Sequence, residues 1–423
     1  MLHRALVVSG VAAVAAILSL AAVVMHEPGA SPSTAEPVSN AQVSVDESEL
    51  PDPAARGVVI LSADWQLYSY TPDGEASGGP FAAPYEDGVS PDGLWQALKH
   101  CPDAEMCKLV IVAAGSRFEA GDLDANAVEL GANFASGEWA RSGAVFAALD
   151  ESGSLYLVEP AGRSARVVQA CCVTAYAWTA DDTLLIGGEG KFGTYWLARA
   201  GIDEPITEMA SVASPVTRFY ESPDGLRFAF AQSDAKGLGL MTIDTASGRL
   251  TDYGVLHGPA GVEGPQFAIA WSHDQRYVAV GPVAAPYRLF ILDTRAGEVS
   301  ARHDFEEGYA GELVWSPIAN RLAISTYSPG RLRHEVYVVD TAGDSEPRHL
   351  LAGCRIVWSP DGRFLAAKAE PQSLGAAAVN VDTGRQWQIA PLSGLTPVAW
   401  GIDEAAAIEQ IQVPGRSAAV LGK

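Results

Sequence analysis

One pattern recurs along this chain and limits its fold more than any other feature. An apolar strand ends in Trp, a Ser-Pro-Asp-Gly turn follows, and a second apolar strand leaves the turn. The clearest copy is Val357-Trp358-Ser359-Pro360-Asp361-Gly362-Arg363-Phe364-Leu365-Ala366-Ala367. Variants occur at Trp315-Ser316-Pro317-Ile318-Ala319, Trp271-Ser272-His273-Asp274-Gln275, Glu221-Ser222-Pro223-Asp224-Gly225, Trp178-Thr179-Ala180-Asp181-Asp182 and Val89-Ser90-Pro91-Asp92-Gly93. Weaker copies begin at Trp139 and Trp400. The eight anchors at 89, 139, 178, 221, 271, 315, 358 and 400 are 39 to 50 residues apart. That spacing matches a four-stranded propeller blade, whose repeat is about 40–45 residues.

Each copy has the chemistry of a hairpin. Ser bonds the backbone at the first turn position, Pro presets φ at the second, and Gly relieves crowding at the fourth. Trp is a large apolar anchor suited to packing between neighbouring blades, which places Trp139, Trp178, Trp271, Trp315, Trp358 and Trp400 in the core as structural anchors. A second mark ends the third strand of a blade: Ile243-Asp244-Thr245, Leu292-Asp293-Thr294, Val339-Asp340-Thr341 and Val381-Asp382-Thr383. The expectation is an all-β fold, a propeller of four-stranded blades over residues 57–413, with a C-terminal tail at 414–423. A propeller closes its ring to protect its sheet edges. Val58 to Ser62 and Gln66 to Tyr70 from one end, with Thr396 to Trp400 and Ala405 to Ile411 from the other, supply a shared closing blade. The count expected is eight, with seven as the alternative if Val89 or Trp139 is not a true first-to-second-strand turn.

Ahead of the repeats, Ala5 to Met25 carries no charge over 21 residues, with Arg4 before it and Glu27 after. About 20 apolar residues span a bilayer, whereas a cleavable signal has an apolar core of about 7–15. Residues 1–26 therefore read as a transmembrane signal anchor, with a signal peptide cleaved near Gly29-Ala30-Ser31 as the alternative. The charge asymmetry sends the bulk of the protein outside the cytoplasm. Residues 27–56 are rich in Pro, Ser and acid and read as a disordered, solvated linker.

The Trp-Ser-Pro-Asp-Gly repeats resemble those of TolB-like β-propellers and of the propeller domains in prolyl-oligopeptidase-type peptidases, themselves distantly similar to WD repeats. The resemblance covers roughly residues 57–413 and implies the fold alone, because propellers host many unrelated functions. The N-terminal α/β domain of TolB has no counterpart here, and neither has a peptidase domain. The TolB partnership with a peptidoglycan-associated lipoprotein is therefore not carried over.

Charge narrows the partners. With 51 acidic and 28 basic residues the net charge is −23, which excludes nucleic acid as the main partner, since phosphate binding needs a basic face. Membrane contact is expected through the N-terminal helix only. No assembled catalytic, cofactor or metal motif emerges. Gly88-Val89-Ser90-Pro91-Asp92-Gly93 is not a nucleophile elbow, because the final Gly is displaced and Pro blocks the turn. Gly187-Gly188-Glu189-Gly190-Lys191-Phe192-Gly193 lacks the Ser or Thr that a phosphate loop needs after Lys, and reads as a loop. Asp122, Asp124 and Asn126 start a calcium-loop pattern, but Ala127 and Asn133 stand where Gly and Glu belong. The His residues show no ligand spacing along the chain. Outside the cytoplasm two nearby cysteines pair readily, so Cys101 and Cys107 are expected to form a disulfide. Cys171-Cys172 is left between a vicinal bridge and a free or buried thiol, and Cys354 has no evident partner.

The resulting expectation is a non-enzymatic, extracytoplasmic propeller that binds an envelope protein or extracellular ligand. It would be single-pass at the cell membrane, or secreted or periplasmic if the signal is cleaved. The alternative is a hydrolase or lyase acting on glycans or peptides at the mouth of the central channel, marked by a cluster of carboxylates, His or Arg with perturbed pKa values there.

Overall fold

The structure is a computed structural model. It describes residues 58–401 and 406–407, except 64–65, 72–75, 83–87, 101–107, 115–126, 133, 235–236, 258–266, 283–287, 306–308, 329, 342–345, 371–374 and 391–394. All of them belong to one compact unit, Val45–Lys423. The expected membrane segment, the linker, the tail, the Cys101–Cys107 pair and Asp122, Asp124 and Asn126 lie outside the described residues. Among the described residues no helix is long and apolar enough to cross a membrane.

The fold is an all-β propeller built from antiparallel sheets of consecutive strands. The first sheet takes β1 (Val58–Ala63), β2 (Gln66–Tyr70) and β3 (Ala76–Ala82). A three-stranded sheet follows: β4 (Trp95–His100), β5 (Lys108–Ala113) and β6 (Val128–Ala132). Next come β7 (Phe134–Trp139), β8 (Phe146–Asp150), β9 (Leu155–Glu159) and β10 (Ser164–Gln169). The fourth sheet holds β11 (Val173–Trp178), β12 (Leu184–Glu189), β13 (Tyr195–Ala200) and β14 (Thr207–Val212). In the fifth are β15 (Tyr220–Glu221), β16 (Arg227–Asp234), β17 (Gly237–Asp244) and β18 (Leu250–His257). The sixth has β19 (Phe267–Trp271), β20 (Tyr277–Pro282), β21 (Arg288–Asp293) and β22 (Glu298–Asp304).

A seven-stranded sheet comes last: β23 (Tyr309–Trp315), β24 (Arg321–Ser328), β25 (Arg333–Asp340), β26 (Arg348–Trp358), β27 (Phe364–Ala369), β28 (Ala376–Asn380) and β29 (Gln386–Ala390). β26 serves two repeats at once. Leu351 and Ala352 pair with Val336 and Glu335 of β25, whereas Gly353 and Cys354 pair with Ala369 and Lys368 of β27. Finally β30 (Thr396–Gly401) returns to the first sheet and pairs with β1, Trp400 opposite Val59.

That closing sheet differs from expectation. Three of its strands come from the N-terminal end and one from the C-terminal end, in the order β3-β2-β1-β30. Ala405 to Ile411 does not supply a described strand, and Ala406 and Ala407 are helical. Val89, expected to end a first strand, makes only an isolated bridge to Gln96.

Second strands read as nearly continuous apolar runs, because a neighbouring sheet covers each face. β24 is buried from Leu322 to Thr326, whereas the outer strand β22 is mostly exposed. The core lies between consecutive sheets. Ala279, Leu289 and Ile291 of one sheet pack with Trp315, Leu322 and Ile324 of the next, and Val59 and Leu61 close against Phe364, Ala366 and Trp400.

Each anchor Trp adds a directional bond to this packing. Its indole N–H donates to the backbone carbonyl just before the anchor of the preceding repeat: Trp139 to Gly88 (3.2 Å), Trp178 to Glu138 (3.0 Å), and Trp271 to Tyr220 (2.9 Å). Trp315 bonds Ala270 and Trp358 bonds Val314, both at 2.9 Å. The Trp400 ring stacks on Phe364, with ring centroids 6.2 Å apart. These contacts satisfy a buried donor while locking neighbouring repeats in register.

The turn is equally uniform. Ser359 Oγ donates to Asp361 (2.6 Å) and accepts from the Phe364 amide (2.9 Å), and the Gly362 amide bonds the Ser359 carbonyl (2.9 Å). Ser90, Ser222 and Ser272 repeat the network, and Thr179 stands in for Ser. The fourth turn residue has a positive φ: 73° at Gly93, 70° at Gly225 and 64° at Gly362. Gly there supplies a left-handed conformation, a stronger demand than relief of crowding. Gln275 and Asp182 adopt it without being Gly.

Candidate functional site

Antiparallel order sorts the connections into two ends. The Ser-Pro-Asp-Gly and Asp-Thr-x-Gly turns share one end, where Thr245, Thr294 and Thr341 bond the carbonyls of Leu226, Arg276 and Asn320 and so latch the two turns together. The hairpins between second and third strands, and the crossings to the next repeat, share the other end. At that second end, the seam around β26 gathers a group of buried and half-buried polar side chains.

Glu335, on β25, is 1% exposed at its side chain yet carries bonds from two guanidinium groups and an imidazole. Arg331 Nη1 lies at 3.0 Å, Arg333 Nε at 2.8 Å and His349 Nε2 at 2.6 Å. Burial alone would raise its pKa; the bonds from Arg333, His349 and Arg331 outweigh that and hold the carboxyl below its ordinary value.

A second group lies alongside. His334 follows the β24–β25 hairpin, Cys354 sits where β26 changes partners, and Glu370 follows β27. Glu370 takes the His334 ring Nδ1 at 2.8 Å on one oxygen and accepts the His334 backbone N–H at 2.7 Å on the other. One ligand-type atom from each of His334, Cys354 and Glu370 lies within 4.8 Å of the other two. Glu312 on β23 reaches across the seam, accepting the Ile356 amide at 3.1 Å and lying 3.6 Å from the Arg355 guanidinium. Arg355 has φ 56° and belongs to the irregular step between Cys354 and Val357.

Burial pushes the Glu312 carboxyl up, against the opposing pull of the Ile356 amide and Arg355. The Cys354 thiol is pushed up to about 11, by burial first and then by the carboxylates of Glu312 and Glu370. Ser325, opposite Glu312 in the β23–β24 register, is fully buried, and its hydroxyl has no hydrogen-bond partner.

The same end displays two apolar hairpin tips. Phe192 is fully exposed at φ 62°, ψ 30° between β12 and β13. Leu332, between β24 and β25, is 78% exposed at φ 54°. Cys171 and Cys172, between β10 and β11, form a vicinal disulfide with Cα atoms 3.7 Å apart, and Cys172 has φ 72°.

The anchors Trp139, Trp178, Trp271, Trp315, Trp358 and Trp400 are distributed over the sheets and do not converge on a site. Gly187 and Gly188, expected in a loop, lie in strand β12. A Cβ on Gly188 would meet the Trp196 ring at 2.1 Å, so this glycine makes room for an aromatic neighbour. Sequence reading missed His334, Cys354 and Glu370, because no local spacing joins residues that different repeats supply. Its one signal was polarity in strand positions that the repeat otherwise fills with apolar residues.

No family model matches this chain, and no curated protein matches it. Similar solved structures share the fold. They include the dihydro-heme d1 dehydrogenase NirN in complex with DHE, at 14% identity over 82% of this chain and 75% of that one, TM-score 0.50. Chaetomium thermophilum Sqt1 matches at 18% identity over 72% and 87%, TM-score 0.44, and a putative TolB from Agrobacterium tumefaciens at 19% over 54% and 87%, TM-score 0.34.

Proposed function

We propose that this protein is a non-enzymatic binding platform at the cell envelope, an eight-bladed propeller held outside the cytoplasm. Its contact surface is the end carrying Phe192, Leu332 and the β26 seam. The eight-blade reading takes the seven-stranded sheet as two units divided at β26, where the strand changes partners. The extracytoplasmic placement is supported by the uncharged segment Ala5 to Met25 after Arg4 and by the Cys171–Cys172 bridge, since disulfides persist in oxidising compartments.

Phe192 carries the contact reading. A bulky apolar residue in the left-handed region is unfavourable, and such strain concentrates at ligand clamps and switch regions. Here that conformation holds an aromatic ring fully in solvent, the form of an interface anchor awaiting a partner. Leu332 repeats the arrangement. Exposed Leu94, Leu226 and Ile318 at the opposite end are not among the positive-φ residues.

The His–carboxylate–Arg cluster at the seam is the feature that the hydrolase or lyase reading requires. The binding reading is favoured because the carboxylates are engaged internally: Glu370 by His334, Glu335 by Arg331, Arg333 and His349, and Glu312 by Ile356 and Arg355.

A photo-crosslinking residue placed at Phe192 or Leu332 in the full chain, and at Leu226 or Ile318 as the opposite-end control, tests this in cells. Discrete protein adducts confined to the first pair support the contact face. Adducts of equal yield at both ends, or none at the first pair, overturn it.

A further inference from the structure

We propose that His334, Cys354 and Glu370 form a zinc(II) site at the β26 seam, with Glu312 or water completing the shell. The inference goes beyond the binding-platform reading and does not depend on it.

The donor set comes first. Zinc takes Cys sulfur, His nitrogen and Asp or Glu oxygen, almost always as a tetrahedron, with bonds of about 2.0–2.3 Å. That geometry separates neighbouring ligand atoms by about 3.3–3.8 Å. The three donors here already lie within 4.8 Å of one another with no ion present, so side-chain adjustment of about an ångström closes the site. A thiolate donor disfavours calcium and magnesium, which prefer oxygen.

Rigidity comes next. Glu370 already seats His334 through its backbone N–H, and its other oxygen lies 2.8 Å from the ring Nδ1. Zinc replaces the proton between Nδ1 and Oε1, while the second oxygen keeps its bond to the amide. Cys354 is fixed by the strand that pairs it with Lys368.

Charge balance supplies the third argument. A bound divalent cation deprotonates a coordinating thiol outright. The thiolate and the carboxylates of Glu312 and Glu370 then carry three negative charges, matched by the ion together with Arg355. The buried Ser325 hydroxyl, unpartnered and in register with Glu312, is a polar group opposite Glu312 that a bound water would satisfy.

The test is a titration of the metal-stripped full chain with Co2+, read by optical absorption, with zinc competition. The expected result is one saturable equivalent, a thiolate-to-cobalt charge-transfer band in the near ultraviolet, and its loss on adding zinc. Cys354→Ser removes that band, and Glu370→Gln weakens cobalt binding by 10-fold or more, within the range of about 10–100-fold seen for residues around a metal site. Absence of saturable binding, or an unchanged band in Cys354→Ser, overturns the proposal. A second measurement, zinc K-edge absorption fine structure on the wild-type chain, does not depend on any variant folding. A sulfur neighbour at about 2.3 Å with nitrogen or oxygen at about 2.0–2.1 Å supports the site; a shell of nitrogen and oxygen alone overturns it. Neither readout involves a partner, so the metal site and the contact face fail or stand separately.

Discussion

Phe192 and Trp315 show opposite ways in which a single aromatic residue is used here. Trp315 is buried and spends its one donor on the Ala270 carbonyl of the preceding repeat. Trp315→Phe keeps most of the apolar contact and loses that bond, leaving a part-buried carbonyl without it. The expected cost is about 1 kcal/mol, measured as a lower denaturant midpoint at unchanged m-value. Phe192 makes the reverse bargain, with a fully exposed ring on a left-handed backbone. Phe192→Gly relieves that conformation, so equilibrium unfolding should show stabilisation of about 0.5–1 kcal/mol. Destabilisation would mean that the ring packs on the protein rather than waiting for a partner. The Trp positions and the Ser and Asp of each turn were legible in sequence because their partners lie within the repeat or exactly one repeat away. The left-handed backbone of Phe192 was not, since a non-glycine residue carries no compositional sign of positive φ.

Among elements, β26 differs most from its equivalents. It ends one repeat and begins the next without a break, and its irregular step brings Cys354, Arg355 and Ile356 against Glu312 of the inner strand β23. The buried Glu335 carboxylate pins the adjoining hairpin through Arg331 and Arg333 and pins β26 through His349. Glu335→Gln removes its charge. Charge-assisted hydrogen bonds are stronger than neutral ones, so the expected loss is about 1.5–3 kcal/mol in equilibrium unfolding. Hydrogen exchange should report the loss at the β24–β25 hairpin and the first half of β26, with little change in distant sheets. An equal loss of protection throughout would show that the seam is no local clasp. The repeats marked where β26 ends, at Trp358, but not that it runs unbroken from Arg348 or that its middle carries a polar cluster, because that depends on which residues the irregular step brings to face β23.

For the molecule as a whole, the closure of β1 on β30 joins residues more than 330 positions apart. Ending the chain after Leu395 removes β30 and exposes Val59 and Leu61, so the thermal transition in calorimetry should be broader than that of the intact chain, or split. Acid should also unfold the protein by a definite route. Asp150, Asp181, Asp244, Asp274 and Asp293 are held below the ordinary 3.8, because hydrogen bonds from side chains and backbone amides outweigh the opposing effect of burial, and Asp304 is pulled down to about 2 by Arg302 and Arg288. A lowered carboxylate pKa means that the folded state binds fewer protons than the unfolded chain. Its stabilisation is therefore complete above the ordinary value and is lost as pH falls from about 4 towards 2. Glu312, raised by burial, acts in the opposite sense, stabilising in acid and losing that contribution as pH rises through its raised value. The melting temperature should fall steeply below pH 4; a flat profile there would contradict the Asp assignments. By itself the sequence determined the repeat, the chemistry of its turns and the propeller, since each of these is written locally and many times over. The composition of the closing sheet, the vicinal disulfide and the cluster of His334, Cys354 and Glu370 were decided by tertiary structure alone, because each depends on contacts or backbone geometry that no periodic pattern encodes.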